Sequence, residues 1–130
     1  MMKDVIESVR KWQEACGDVQ PDSPEFPPPS MCELRIKLLA EEYSEYLRAE
    51  EQGDMVGIAD GLADMIYVIV GTALHYGIPL DKVMQEVCTS NDTKIVNGRV
   101  IKRYDGKIMK PDTYVRPNIR DILYGSGDTR

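Results

Sequence analysis

The stretch AEEYSEYLRAEEQGDMVGIADGLADMIYVIVGTALHYG, residues 40–77, decides the fold. Leu38 and Leu39 just ahead of it, with Tyr43, Tyr46 and Leu47 inside it, recur at helical spacing as an apolar stripe. Gly53 stops that helix, and Asp54 is placed to cap a second. The second helix runs to Tyr76, with Gly77 as the residue beyond its end. Its later half, MIYVIVGTAL, is apolar all round, which marks a helix buried on most sides. Two helices joined by so short a connection lie antiparallel.

Working outward, Ser30 and Glu33 form an S-x-x-E capping box for the helix that ends near residue 51. Upstream of it, residues 18–29 hold five prolines and exclude a helix. Val5, Val9, Trp12 and Cys16 share one face of a first helix, ended by Gly17. Downstream, a further helix starts near Pro79 and reaches about Cys88. The helical period then fades. Asn97-Gly98 and Asp105-Gly106 are tight-turn dipeptides between short β-prone runs, 94–96, 99–101 and 107–109, which predicts small hairpins or an extended flap. A short helix over 117–123 and a disordered tail over 125–130 complete the chain. The expected fold is therefore all-α: an antiparallel helical bundle with an extended basic C-terminal flap. It forms one domain over 1–130, with a helical body (1–89), the flap (90–124) and the tail.

Hydrophobic residues make up 42% of the chain and charged residues 29%, the composition of an ordinary globular domain. No unbroken apolar run approaches the ~20 residues of a membrane span, and the N-terminus lacks the apolar core of a signal peptide. Three cysteines, Cys16, Cys32 and Cys88, form no CxxC pair, so a reducing cytoplasm is expected. The net charge of −6 is unevenly spread. Residues 1–89 carry 17 acidic against 7 basic groups, and residues 90–130 carry 5 against 9. An acidic body does not suit a nucleic-acid polymer. A polyanion held between a metal-loaded acidic site and a cationic flap would suit it, and so would a merely solvated basic tail.

The chemistry gathers in the two central helices. Glu41, Glu42 and Glu45 lie on one helix face, where like charges repel by roughly 0.2–0.5 kcal/mol per pair. A hard divalent cation would turn that repulsion into ligation. Asp60 and Asp64 stand at i,i+4 in the next helix, and Asp64 adjoins the apolar run. A buried carboxylate is costly unless paired or metal-bound, and no Lys or Arg occurs between Glu51 and Lys82. Facing each other across an antiparallel pair, the two clusters build an oxygen-rich Mg²⁺ site, for which Mn²⁺ is a possible substitute.

Taken together, EExxE, a short gap and an acidic motif ending in Asp resemble the all-α NTP pyrophosphohydrolases, which comprise MazG, the phosphoribosyl-ATP pyrophosphohydrolases and the dimeric dUTPases. The resemblance runs from AEEYSEYLRAEE through SNDTK and on to YDGKIMKPDTYVRPNI, about residues 30–124. It implies a Mg²⁺-dependent enzyme that hydrolyses a (d)NTP to the monophosphate and pyrophosphate in nucleotide-pool house-cleaning. It also implies metal ligation by Glu42, Glu45 and Asp64, with Glu41 orienting or activating the attacking water. The family's second motif is ExxD, and its Glu falls on Gly61 here, with Asp60 adjacent as a possible replacement. In relatives the segment holding Ser90, Asn91 and Lys94 resembles a nucleotide-contacting element; the plain alternative is a helix cap beside a surface lysine. Lys102, Arg103, Lys107 and Lys110 are a phosphate clamp or solvated charge, with Lys107 taken as the substrate-binding candidate.

The remaining candidates are weaker. His75 reads as a core or helix-end residue, and Trp12 and Tyr67 as packing residues. No P-loop, GxGxxG or HExxH motif occurs. The apolar third helix needs more cover than one short chain provides, which predicts a homodimer or homotetramer. Two alternatives stand beside the house-cleaning enzyme: a phosphoribosyl-ATP pyrophosphohydrolase of histidine biosynthesis and a non-catalytic helical oligomerisation module.

Overall fold

A computed structural model describes residues 1–125. The chain is all-helical: α1 (Met2–Ala15), α2 (Pro29–Gln52), α3 (Met55–His75), α4 (Leu80–Asp92) and α5 (Ile119–Tyr124). Residues 126–130, most of the expected disordered tail, lie outside the described residues. The chain divides into two compact units, Met1–Ile78 and Pro79–Arg130.

In the first unit α3 packs against both α2 and α1. The corner between α2 and α3 follows from two residues. Gly53 takes φ 65°, and the Asp54 N–H reaches back to the Ala49 carbonyl at 2.9 Å. The Asp54 side chain then accepts from Gly57 N–H at 3.0 Å and caps α3. The start of α2 departs from expectation. The helix begins at Pro29, whose fixed φ and missing N–H suit the first helical position, and neither Ser30 nor Glu33 closes a capping box. Ser30 is inside the first turn.

Three contacts fix the register of the α2–α3 pair. Arg35 donates from Nη2 to the Val68 carbonyl (2.9 Å) and from Nε to Thr72 Oγ1 (3.0 Å). Gly61 lies so near Tyr46 that a Cβ built on it would stand 3.0 Å from Tyr46 Cα. A Cβ on Gly57 would come equally near the Ala49 Cβ. Glu42 and Glu45 are thereby set opposite the turn of α3 that holds Asp64.

The core is small: Val9, Ala49, Val70, Ala73 and Leu74 are buried, joined by Gln13 and His75. The proline-rich linker is an ordered strap along the C-terminal end of α3. Glu25 N–H donates to the Tyr76 carbonyl (3.0 Å), the Phe26 and Tyr76 rings meet edge to face at 5.7 Å, and His75 Nε2 lies 3.4 Å from Asp18. Gly77 (φ 66°) ends α3, and a Cβ there would run into the Ser23 carbonyl. Burial of α3 is one-sided: Leu62, Ile66, Tyr67 and Ile69 are exposed, as is Ile36 of α2 at 70%. With 21 residues, and a mean hydropathy of 1.5 over its most apolar 18, α3 is long and apolar enough to cross a membrane by length and composition, although no unbroken apolar run marks it. Asp60 and Asp64 lie within it, and an aspartate at a bilayer centre costs roughly 2.5–3.5 kcal/mol.

In the second unit α4 runs to Asp92, a turn beyond the expected end at Cys88. Side chains of its last turn tie down the returning chain. Ser90 Oγ donates to the Val115 carbonyl (2.7 Å), and Val115 N–H donates to Thr93 Oγ1 (2.8 Å). Asn118 N–H donates to Glu86 (2.7 Å), and the Asn118 side chain caps α5. Among the described residues no strand forms. Asn97 (φ 54°) and Gly98 (φ 75°) make a two-residue turn closed by a Val96–Arg99 bridge, and Lys102 pairs with Ile108. The expected hairpins are thus reduced to isolated bridges.

Candidate active site

One oxygen from each of Glu42, Glu45 and Asp64 falls within a group no wider than 4.8 Å. The helix spacing explains this, since α2 supplies two carboxylates at i,i+3 and the register brings Asp64 across from them. Glu42 and Asp64 are half-buried, while Glu45 is exposed. Glu42 Oε2 is buried with no hydrogen-bond partner. Burial first, then the carboxylates of Glu45, Asp64, Asp60 and Glu41 in that order, hold the Glu42 pKa above the usual carboxylate value.

A buried acceptor of this kind costs about 1–3 kcal/mol when left unpaired, and the fold retains it. An all-oxygen donor set suits Mg²⁺ or Mn²⁺, and opposite oxygens of an octahedron with 2.0–2.1 Å bonds lie roughly 4 Å apart. The residues present therefore fit a hard divalent cation.

The structure sets the remaining carboxylates around this group. Glu41 and Asp60 are exposed, and both act on Glu42 electrostatically without joining the three. Asp60 lines a neighbouring cleft of about 260 Å³ with Glu45, Arg48, Asp54, Gly57 and Gly61. Arg48 joins the acidic residues there, and its i,i+3 spacing from Glu45 is the sequence signal that the two share a helix face. A larger cleft of about 500 Å³ lies under the strap, lined by Asp18, Pro21, Phe26 and His75 among others. None of the five candidate carboxylates lines it.

Gly61, where the ExxD motif would place a glutamate, lies against α2. A Cβ there would stand 3.0 Å from the Tyr46 Cα, so that α2 would have to give by a few tenths of an ångström. A carboxylate at this position requires a wider helix pair than the one this chain builds.

Asn91, Lys94 and Lys107 belong to the second unit. Asn91 is in the last turn of α4 rather than beyond it, and its carbonyl accepts from Lys94 N–H at 3.0 Å. The Lys94 ammonium sits 5.5 Å from the centre of the Tyr114 ring. Lys107 N–H donates to Asp105 (3.1 Å), whose carboxylate also pairs with Arg103. The Arg103 hydrogen bonds, then the Lys107 N–H, hold the Asp105 pKa below its ordinary value.

Residues 9–91 match a family model described as phosphoribosyl-ATP pyrophosphohydrolase. The matched span contains all five candidate carboxylates and ends at Asn91. No curated protein matches the chain. The match covers well over half of the sequence, and the chain belongs to the phosphoribosyl-ATP pyrophosphohydrolase family, a pyrophosphohydrolase family of the MazG-like all-α kind.

Proposed function

With membership of that family as the premise, we propose that this protein is a divalent-metal-dependent nucleoside triphosphate pyrophosphohydrolase that serves nucleotide-pool house-cleaning. It hydrolyses a (d)NTP to the (d)NMP and pyrophosphate. The observation that carries the reading is the unpartnered, buried Glu42 Oε2 beside Glu45 and Asp64. Glu42, Glu45 and Asp64 would hold Mg²⁺, or Mn²⁺ in its place, with Asp60 at the margin. The ion would supply neutralisation of charge on the phosphate oxygens. Glu41, exposed beside Glu42, accepts a proton from water as its oxygen bonds to the α-phosphorus. The bond from that phosphorus to the bridging oxygen breaks, and pyrophosphate leaves. Asn91, Lys94 and Lys107 are the proposed phosphate contacts, through charge-assisted hydrogen bonds in the case of the lysines.

The exposed apolar side of α3 supports assembly as a homodimer or homotetramer. A cytoplasmic setting suits the three free cysteines. A second reading, hydrolysis of phosphoribosyl-ATP in histidine biosynthesis, is favoured by the description of the matching family.

The test is a panel of NTPs, dNTPs and phosphoribosyl-ATP with Mg²⁺, with pyrophosphate release as the readout. Release from one or more nucleoside triphosphates is expected, and its loss in Glu45→Gln with the fold intact. Turnover of phosphoribosyl-ATP alone would install the second reading. No release from any substrate, with no thermal stabilisation by Mg²⁺, would leave the non-catalytic oligomerisation module.

A further inference from the structure

The turn after α4 is held from both sides of one residue. Thr93 Oγ1 accepts from Val115 N–H (2.8 Å), and the Thr93 carbonyl accepts from Thr113 Oγ1 (3.0 Å). Tyr114, between those two partners, is therefore pinned beside the residue that precedes Lys94. Its own N–H closes a turn onto the Pro111 carbonyl (3.0 Å), which brings round the lysine just ahead of that proline. The result is two ammonium groups on a single ring: Lys94 Nζ at 5.5 Å and Lys110 Nζ at 5.1 Å from its centre.

This arrangement leaves charge unmet. A tyrosine face attracts a cation, but two cations on one ring repel each other. Asp92 and Asp112 are close in sequence, yet among the described residues neither lysine forms an ion pair. Arg103, by contrast, is paired with Asp105. Ammonium groups are compact donors suited to phosphate oxygens. A polyanion with several oxygens is the ligand that would satisfy both at once.

We propose that Lys94 and Lys110, gathered on the Tyr114 ring, form a phosphate-chain site that takes the triphosphate of the substrate or the released pyrophosphate. Lys110 joins Lys94 as a phosphate contact of the tail, and Tyr114 is a positioning residue. The assignment of a nucleotide phosphate as the natural ligand rests on the proposed function, whereas the affinity for a phosphate chain does not.

Calorimetric titration of the full-length protein with sodium tripolyphosphate, and separately with pyrophosphate, tests this in EDTA, so that metal-bridged binding is not read. The wild type is expected to bind at least one of the two, and which one is tighter identifies substrate or product as the source. Lys94→Ala and Lys110→Ala should each weaken binding about tenfold, the loss of one charge-assisted contact. Lys110→Arg should retain most of the affinity. Tyr114→Leu, which keeps both charges and loses the ring, should weaken it about threefold. Lys102→Ala, with its circular dichroism unchanged like that of the others, should bind as the wild type does. Absence of binding by the wild type, full affinity in Lys110→Ala, or an equal loss in Lys102→Ala would overturn the site. Normal NTP turnover in Lys110→Ala, with neither the KM nor inhibition by pyrophosphate altered, would remove the site and leave the enzyme reading. Binding that depends on Lys110, in a protein that cleaves no NTP, would do the reverse.

Discussion

The two ends of the α2–α3 pair are closed in opposite ways. At the corner end, Gly57 and Gly61 meet Ala49 and Tyr46, and the helices approach because side chains are missing. At the far end, Arg35 spans the gap with hydrogen bonds to the Val68 carbonyl and Thr72, and Gly71 leaves room for its guanidinium. One end is set by backbone contact, which cannot be adjusted, and the other by a long side chain, which can. Glu42, Glu45 and Asp64 lie between them. The lesson is that the spacing of the carboxylates is imposed mainly from the glycine end.

Gly61→Glu breaks this comparison most directly. It completes the ExxD motif, but against the Tyr46 backbone, and should cost about 3 kcal/mol by overpacking. Chemical denaturation together with a Mg²⁺ titration checks it. A stable variant that binds Mg²⁺ more tightly would show that the helix pair widens freely. Arg35→Ala strikes the adjustable end. Leaving the Val68 carbonyl and Thr72 hydroxyl without that donor should cost about 2 kcal/mol. Once the protein is folded, Mg²⁺ affinity should change little, because the register persists at Gly57 and Gly61. A tenfold loss of Mg²⁺ affinity in Arg35→Ala would show that both ends matter equally.

Glu42→Gln sharpens the point from the site itself. The substitution removes a raised-pKa carboxylate crowded by burial and by four other acids. Without metal, its melting temperature should rise by a few degrees, and stabilisation by Mg²⁺ should disappear. A fall in melting temperature would mean that Glu42 contributes to packing rather than storing repulsion. The smallest effect is expected at the strap. Burial, opposed by Asp18, holds the His75 pKa below its ordinary value. The folded state therefore disfavours the charged ring. The His75 contribution is fully present above the ordinary value of about 6.5 and is lost as pH falls towards the lowered one. Melts of wild type and His75→Gln between pH 5 and 8 should differ in slope in that window, with the variant flatter.

Local chemistry made much of this architecture readable. Gly53, Asp54 and Gly77 carry their helix ends in their own residue types, and the placement of acids at i,i+3 and i,i+4 pointed to the carboxylate group. What was not readable depends on partners far along the chain. Ser90 and Asn91 look like residues that end a helix, yet the Ser90 hydroxyl reaches Val115 and α4 continues. Ser30 looks like a cap, but Pro29 and the extended prolines before it already set the backbone. The prolines excluded a helix correctly up to Pro28, though Pro29 begins α2, and gave no sign that Glu25 would bond to Tyr76 and Asp18 approach His75. Gly61 was visible as a departure from the ExxD motif, whereas its nearness to Tyr46 was not.

The two-residue corner at Gly53-Asp54 also bears on the order of folding. It joins the longest helices of the chain with almost no loop to close, and contacts of short sequence separation form early at little entropic cost. The strap must instead wait for α3 to exist before Glu25 has a carbonyl to meet. We therefore expect the nucleus to be the α2–α3 hairpin, with φ-values for substitutions at Ala49 and Gly57 well above those at Phe26. On that route the three carboxylates come together while the rest of the chain is still unfolded, and their mutual repulsion acts on the folding rate as well as on the finished protein.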